Sequence, residues 1–151
     1  MTRALLALGL LGSLGCRREN ILFSATPYLE YVSIAPRRVP EYSTVQVVVR
    51  YRDGDGDLGG QADGSPDLFL IDLRDSSRFP EGYDGILRYT MPRFHEGPPQ
   101  SIQGTIEISI PSVVRLDPTN PAEPFQVEVY LKDRAGNFSN RVRTEVIYIV
   151  P

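Results

Sequence analysis

The sequence predicts an all-β fold, an antiparallel β-sandwich of about seven strands with Greek-key connections. Three observations lead there. Thirteen glycines and thirteen prolines in 151 residues cut the chain into short segments, the punctuation of a turn-rich all-β protein. Several of those segments alternate apolar and polar residues with a period of two, as half-buried strands do. No long stretch carries the three-to-four spacing of an amphipathic helix.

The N-terminal segment is separate from that fold. Arg3 is its only charge, and an apolar run from Ala4 to Leu14 follows. As a helix this run would span about 17 Å at ~1.5 Å per residue, too short for a hydrocarbon core of about 30 Å. It therefore reads as a signal peptide over residues 1–15. Leu11-Gly12-Ser13-Leu14-Gly15-Cys16 resembles a lipobox, with Ser13 where leucine is usual and Leu14 one place later. The resemblance implies cleavage before Cys16 and acylation of that cysteine. Cys16 is the only cysteine, so an intramolecular disulfide is excluded and a lone exported thiol otherwise lacks a role. Residues 16–27 read as lipidated cysteine and tether, and residues 28–151 as one domain.

Within that domain the first strand runs from Tyr28 to Ile34 and ends at the proline-bounded turn Ala35 to Pro40. Ser43 to Tyr51 is the clearest strand, with Val45, Val47, Val49 and Tyr51 on one face. A Gly/Asp loop from Asp53 to Ser65 separates it from Asp67 to Leu73, which is apolar on both faces and belongs mid-sheet. A long connection, Asp75 to Gln100, holds one short strand at Gly85 to Met91. Ser101 to Ile110 and Phe125 to Lys132 alternate again, and Arg141 to Val150 supplies the last strand. The inward faces predict burial of Val47, Val49, Ile106, Ile108, Val127, Val129 and Leu131.

The run Phe125 to Asn140, FQVEVYLKDRAGNFSN, resembles the penultimate strand and last hairpin of bacterial immunoglobulin-like and fibronectin type III-like domains. Tyr51 to Gly59, YRDGDGDLG, is similar to the loop after the second strand in lipoproteins of the Bacteroidota. With the lipobox these segments cover about a third of the chain. They imply an immunoglobulin-like sandwich in an envelope lipoprotein anchored at the outer membrane, with either face of that membrane open to it. They imply no activity, because such sandwiches host unrelated functions.

Composition narrows the chemistry. The chain has 16 basic and 19 acidic side chains, and loss of Arg3 makes the mature form more acidic still, which argues against nucleic acid. The single histidine, His95, sits in a loop without a partner to orient it as a base. Asp72 and Asp75 invite comparison with a glycosidase pair, but Asp75 opens a Ser-rich turn. A sugar or other ligand surface has candidates in Tyr83, Tyr89, Arg88 and Phe94, which share the irregular stretch, though packing under a long loop explains the same residues.

The strongest chemical signal is the acidic loop. Asp53, Asp55 and Asp57 alternate with Gly54 and Gly56, so three carboxylates can turn toward one point, the hard-oxygen environment that Ca²⁺ takes. An EF-hand is excluded, because Leu58 and Gly64 stand where its glycine and bidentate glutamate belong. Asp63 and Asp67 are further candidates. In an immunoglobulin-like topology the loop before the last strand emerges at the same end, which adds Asp133 and Asn137. An acidic turn without metal accounts for the same pattern.

The function this suggests is a non-enzymatic, membrane-anchored envelope module, calcium-stabilised, that binds or scaffolds an envelope protein or glycan. The alternative is a carbohydrate-binding accessory lipoprotein of an outer-membrane glycan-uptake system. Metabolic labelling with a fatty acid should tag the wild-type protein and spare Cys16→Ser; equal labelling of both would overturn the assignment of the anchor.

Overall fold

The computed structural model describes residues 22–151; the segment expected to be a signal peptide, and Cys16, lie outside them. The described chain is all-β apart from one 3₁₀ turn at Ser76–Arg78, and no helix among the described residues is long and apolar enough to cross a membrane. Ten strands follow in order: β1 Tyr28–Ala35, β2 Arg38–Pro40, β3 Val45–Asp53, β4 Leu68–Asp72, β5 Ile86–Tyr89, β6 Ile102–Ile110, β7 Glu123–Phe125, β8 Val127–Leu131, β9 Val142–Arg143 and β10 Ile147–Val150.

They form a sheet of order β1-β3-β6, a sheet of order β5-β4-β8-β9, and a smaller sheet of order β2-β10-β7. All pairings are antiparallel except that of β2 with β10. The arrangement is sandwich-like, because inward side chains of all three sheets share one apolar core. Val45, Val47, Val49, Ile108 and Ile110 enter it from the first sheet, Leu68, Leu70, Val127, Val129 and Leu131 from the second, and Val39, Phe125, Ile147 and Ile149 from the third. All seven side chains expected in the core are buried.

Two long strands expected from alternation are each divided. Phe125 to Lys132 becomes β7 and β8, which meet at Gln126, and Arg141 to Val150 becomes β9 and β10, which flank Thr144. At this joint the Val127 amide donates to Thr144 Oγ1 at 3.2 Å and the Gln126 side chain donates to the Thr144 carbonyl at 2.6 Å. Burial alternates through the break at Gln126 without a slip, so facing there follows from the alternation while the change of pairing partner does not. Between β9 and β10 the phase slips by one residue, with buried Thr144 and Ile147 separated by exposed Glu145 and Val146. The turn expected at Ala35 to Pro40 contains β2, whose pairing with β10 spans most of the sequence.

The inward series also runs past the apolar residues at the strand ends. In β3, Val45, Val47, Val49 and half-buried Tyr51 are followed on the same face by Asp53, which is fully buried. In β8, Val127, Val129 and Leu131 are followed by Asp133, also fully buried. At the opposite end Asp72 completes the series of Leu68 and Leu70, and Glu123 precedes Phe125. Each end of the core is thus bordered by buried carboxylates.

Val129 has no exposed surface and packs between β4 and β9. Val129→Ala should cost on the order of 1–3 kcal/mol through lost burial and a residual cavity, read as a lower denaturation midpoint at unchanged slope.

Candidate metal centre

The loop that follows β3 is fixed on three sides. Leu58 is buried in the core and anchors it. Toward the 91–101 segment, the Gln100 amide donates to the Asp55 carbonyl at 3.2 Å, the Phe94 amide to the Leu58 carbonyl at 3.1 Å, and Ser101 Oγ to the Gly54 carbonyl at 3.1 Å. Toward the β8–β9 hairpin, the Arg134 amide donates to the Asp57 carbonyl at 3.1 Å and its guanidinium to the Leu58 and Gly59 carbonyls. Glycine is required where these segments close in. Gly56 has φ +74° and the Gln100 carbonyl oxygen 2.6 Å from where its Cβ would stand, and a Cβ on Gly54 would collide with the Phe23 carbonyl oxygen.

This frame gathers Asp53, Asp55 and Asp57. One ligand-capable atom from each lies within 4.8 Å of the others. Two outer oxygens are already occupied: Asp53 Oδ2 accepts from the Asp57 amide at 3.0 Å, and Asp57 Oδ2 accepts from the Ala135 amide at 2.9 Å. The Oδ1 atoms of all three are buried and lack a partner. Among the described residues no lysine or arginine forms an ion pair with any of the three; only a longer-range pull from Arg134 reaches Asp57.

Burial pushes the Asp53 carboxyl up to about 6, and the charges of Asp55 and Asp57 add to the shift. Burial, then the charges of Asp133 and Asp55, raise Asp57 as well. These are the signs expected when like charges are gathered away from water without a cation. Three unpartnered oxygens on a rigid glycine loop can bind a metal ion.

The remaining acidic candidates are placed differently. Asp133 adjoins the loop, as its influence on Asp57 shows, but both of its oxygens accept hydrogen bonds from Asn137, at 2.7 Å from the backbone and 2.8 Å from the side-chain amide. That pair closes the hairpin turn on itself. Asp63 is exposed and accepts from the Ser65 amide in a local turn. Asp67 is fully buried with Oδ1 on the Met91 amide at 2.8 Å and Oδ2 unpartnered, but it is not one of the clustered three. Arg134 was not foreseen, since its carbonyl contacts depend on residues more than seventy positions away.

The other singled-out residues do not assemble into one surface. Tyr89 and Phe94 line a groove of about 420 Å³ between β5 and β6, together with Met91, Ile106 and Ile108; the Tyr89 hydroxyl donates to the Ser109 carbonyl at 3.0 Å. Arg88 lies on the opposite face of β5 and pairs with Asp84 at 2.6 Å. Tyr83 packs on Phe79 near Asp72, at the other end of β4, where burial pushes its hydroxyl up to about 12. His95 has both ring nitrogens engaged, with the Pro98 carbonyl and the Gln100 side chain. Asp75 caps the 3₁₀ turn through the Ser77 amide, and Asp72 is held by Arg74.

Comparison of the chain with protein-family models, with curated proteins and with solved structures gave no match.

A carboxyl whose pKa rises on folding holds its proton more tightly in the native than in the unfolded chain. Its contribution favours the fold at low pH and is lost as pH climbs between 3.8 and about 6. In chelator, wild-type protein should therefore lose melting temperature across this window relative to Asp53→Asn, which has no proton to release. Parallel pH profiles of the two proteins would show that Asp53 titrates normally.

Proposed function

We propose that this protein is an envelope lipoprotein anchored through Cys16, whose immunoglobulin-like, fibronectin type III-like domain is a binding or scaffolding module stabilised by Ca²⁺ at Asp53, Asp55 and Asp57. The observation that carries the metal reading is the trio of buried, unpartnered Oδ1 atoms, to which no side-chain cation among the described residues is paired. Calcium suits them better than magnesium, since it accepts six to eight oxygens in a flexible shell, with water completing what the protein leaves open, whereas magnesium demands a tight octahedron.

The strand order supports the immunoglobulin-like assignment. A β1-β3-β6 sheet opposed to a β5-β4-β8-β9 sheet, with the last hairpin beside β4, is the layout of such a sandwich with its two edge strands on the same side. It brings the loop after β3 and the β8–β9 turn together through Asp57, Arg134 and Ala135. The carbohydrate-binding alternative gains less support, because Tyr83 and Arg88 stand apart from Tyr89 and Phe94. A metal held by Asp53, Asp55 and Asp57 would fix this one loop, which hydrogen bonds already join to residues 91–101 and to the β8–β9 hairpin, and so stiffen the end of the domain where the three meet.

Calcium at ~100 times its dissociation constant should stabilise the protein by about 2.7 kcal/mol, several degrees of melting temperature. Asp55→Asn should lose most of that gain, and magnesium should produce less of it. If chelator leaves the wild-type midpoint unmoved and titration calorimetry with calcium shows no heat, the loop is an acidic turn and the metal reading is wrong.

A further inference from the structure

Chain direction brings the tether to the same end as the carboxylate loop. Tyr28, the first residue of β1, stands opposite Arg52, next to Asp53. The backbone of Phe23 and Ser24 lies directly against Gly54. Asn140 fastens the hairpin to the same point, accepting from the Leu29 amide at 2.7 Å and donating to its carbonyl at 2.9 Å. Around this end three large apolar side chains are exposed: Leu22 at 86%, Phe138 at 55% and Tyr28 at 49%. None belongs to the apolar core.

We infer that this end of the domain docks on the lipid bilayer, with Leu22, Tyr28 and Phe138 as its interfacial contacts, an inference that rests on the lipidation of Cys16 proposed above. Fully extended, the chain between Cys16 and Leu22 reaches only about 20 Å, at ~3.3–3.6 Å per residue. An acylated Cys16 therefore keeps this end beside the membrane, while the opposite end stands about 30 Å further out, the length of a strand such as β3 at ~3.3 Å per residue. Aromatic rings with a polar neighbour suit the headgroup boundary: Tyr28 has the Arg52 guanidinium 5.9 Å from its ring, and Phe138 lies beside Tyr130 with ring centroids 6.0 Å apart. A single acyl chain binds membranes only marginally, so apolar contacts made by the domain add to the hold and set its orientation.

The chain contains no tryptophan, so Phe138→Trp and Tyr42→Trp each install a single reporter. Tyr42 is 76% exposed and lies just before β3, at the opposite end. The full-length lipoprotein carrying either change is reconstituted into phosphatidylcholine vesicles, with and without bromine on the acyl chains, and checked by flotation and intact mass. Flotation with fluorescence lost to bromine at position 138 and kept at position 42 is the expected result. Flotation with no loss at 138, or with equal loss at both positions, overturns the docking while leaving the lipidation intact. A blue shift at 138 of equal size without vesicles means that a second copy covers this surface, which also overturns it. Protein that neither floats nor carries lipid mass removes the lipidation reading, and the docking with it.

Discussion

Alternation along a strand decides which residues face the core, and here it carries carboxylates to the core's edges. Asp53 and Asp133 are the next inward positions after Val49 and Tyr51 in β3 and after Leu131 in β8, and Asp72 and Glu123 hold the equivalent places at the opposite end. A carboxylate withdrawn from water must find donors or a cation, or give up its charge. Much of the structure at both ends consists of ways to meet that requirement.

The two ends meet it differently. Arg74 lies between Asp72, at 2.6 Å, and Glu123, at 2.9 Å, and its guanidinium also donates to the Val114 carbonyl and covers the Phe125 ring. Glu123 takes the Leu116 and Asp117 amides besides. That end is complete within the chain, and removal of Arg74 would strand two buried charges, a loss of the kind that costs about 3–5 kcal/mol. At the other end Asp133 is satisfied by neutral donors of Asn137, whereas Asp53, Asp55 and Asp57 keep three oxygens without partners. The same fold has a built-in cation at one end and, at the other, three clustered carboxylates with no arginine or lysine paired to them among the described residues.

How far this was legible depends on the range of the interaction. The alternation of Val45 to Tyr51 located β3 and its inward face, and continuing it by one step to Asp53 would have marked a buried carboxylate from sequence alone. The DGDGD spacing identified the three clustered aspartates, because they stand within five residues of one another, although the contacts that fix the loop come from residues 91–101 and the β8–β9 hairpin. Asp133 was linked to the loop only through the assumed topology; the structure places it nearby but turns its oxygens toward Asn137, a preference set by the tight turn at Gly136. The joint at Gln126 and Thr144, the strand Arg38–Pro40 and the grip of Arg134 on the Leu58 and Gly59 carbonyls are long-range pairings, invisible to any window of sequence. Tyr83 and Tyr89 are close in sequence yet lie at opposite ends of β4, because β5 runs the length of that strand between them.

The asymmetry between the ends bears on what kind of calcium site the proposed centre would be. Affinity in oxygen cages rises with the number of charged ligands and the rigidity that holds them. Here rigidity is high, since the loop is bonded on one side to residues 91–101 and on the other to the hairpin, but each aspartate has a single free buried oxygen and two have committed the other to backbone amides. A cage with few protein oxygens leaves the rest of the shell to water, which points to the weak binding of extracellular modules, at ~10⁻⁴–10⁻³ M, and away from the tight sites of cytosolic sensors. Such a site would be filled only where calcium is plentiful, and its occupancy would stiffen the end of the domain at which β1 begins. On the proposed reading, metal, anchor and the exposed rim of Tyr28 and Phe138 would act on one small region, while the core and the Arg74 end would keep their stability without them.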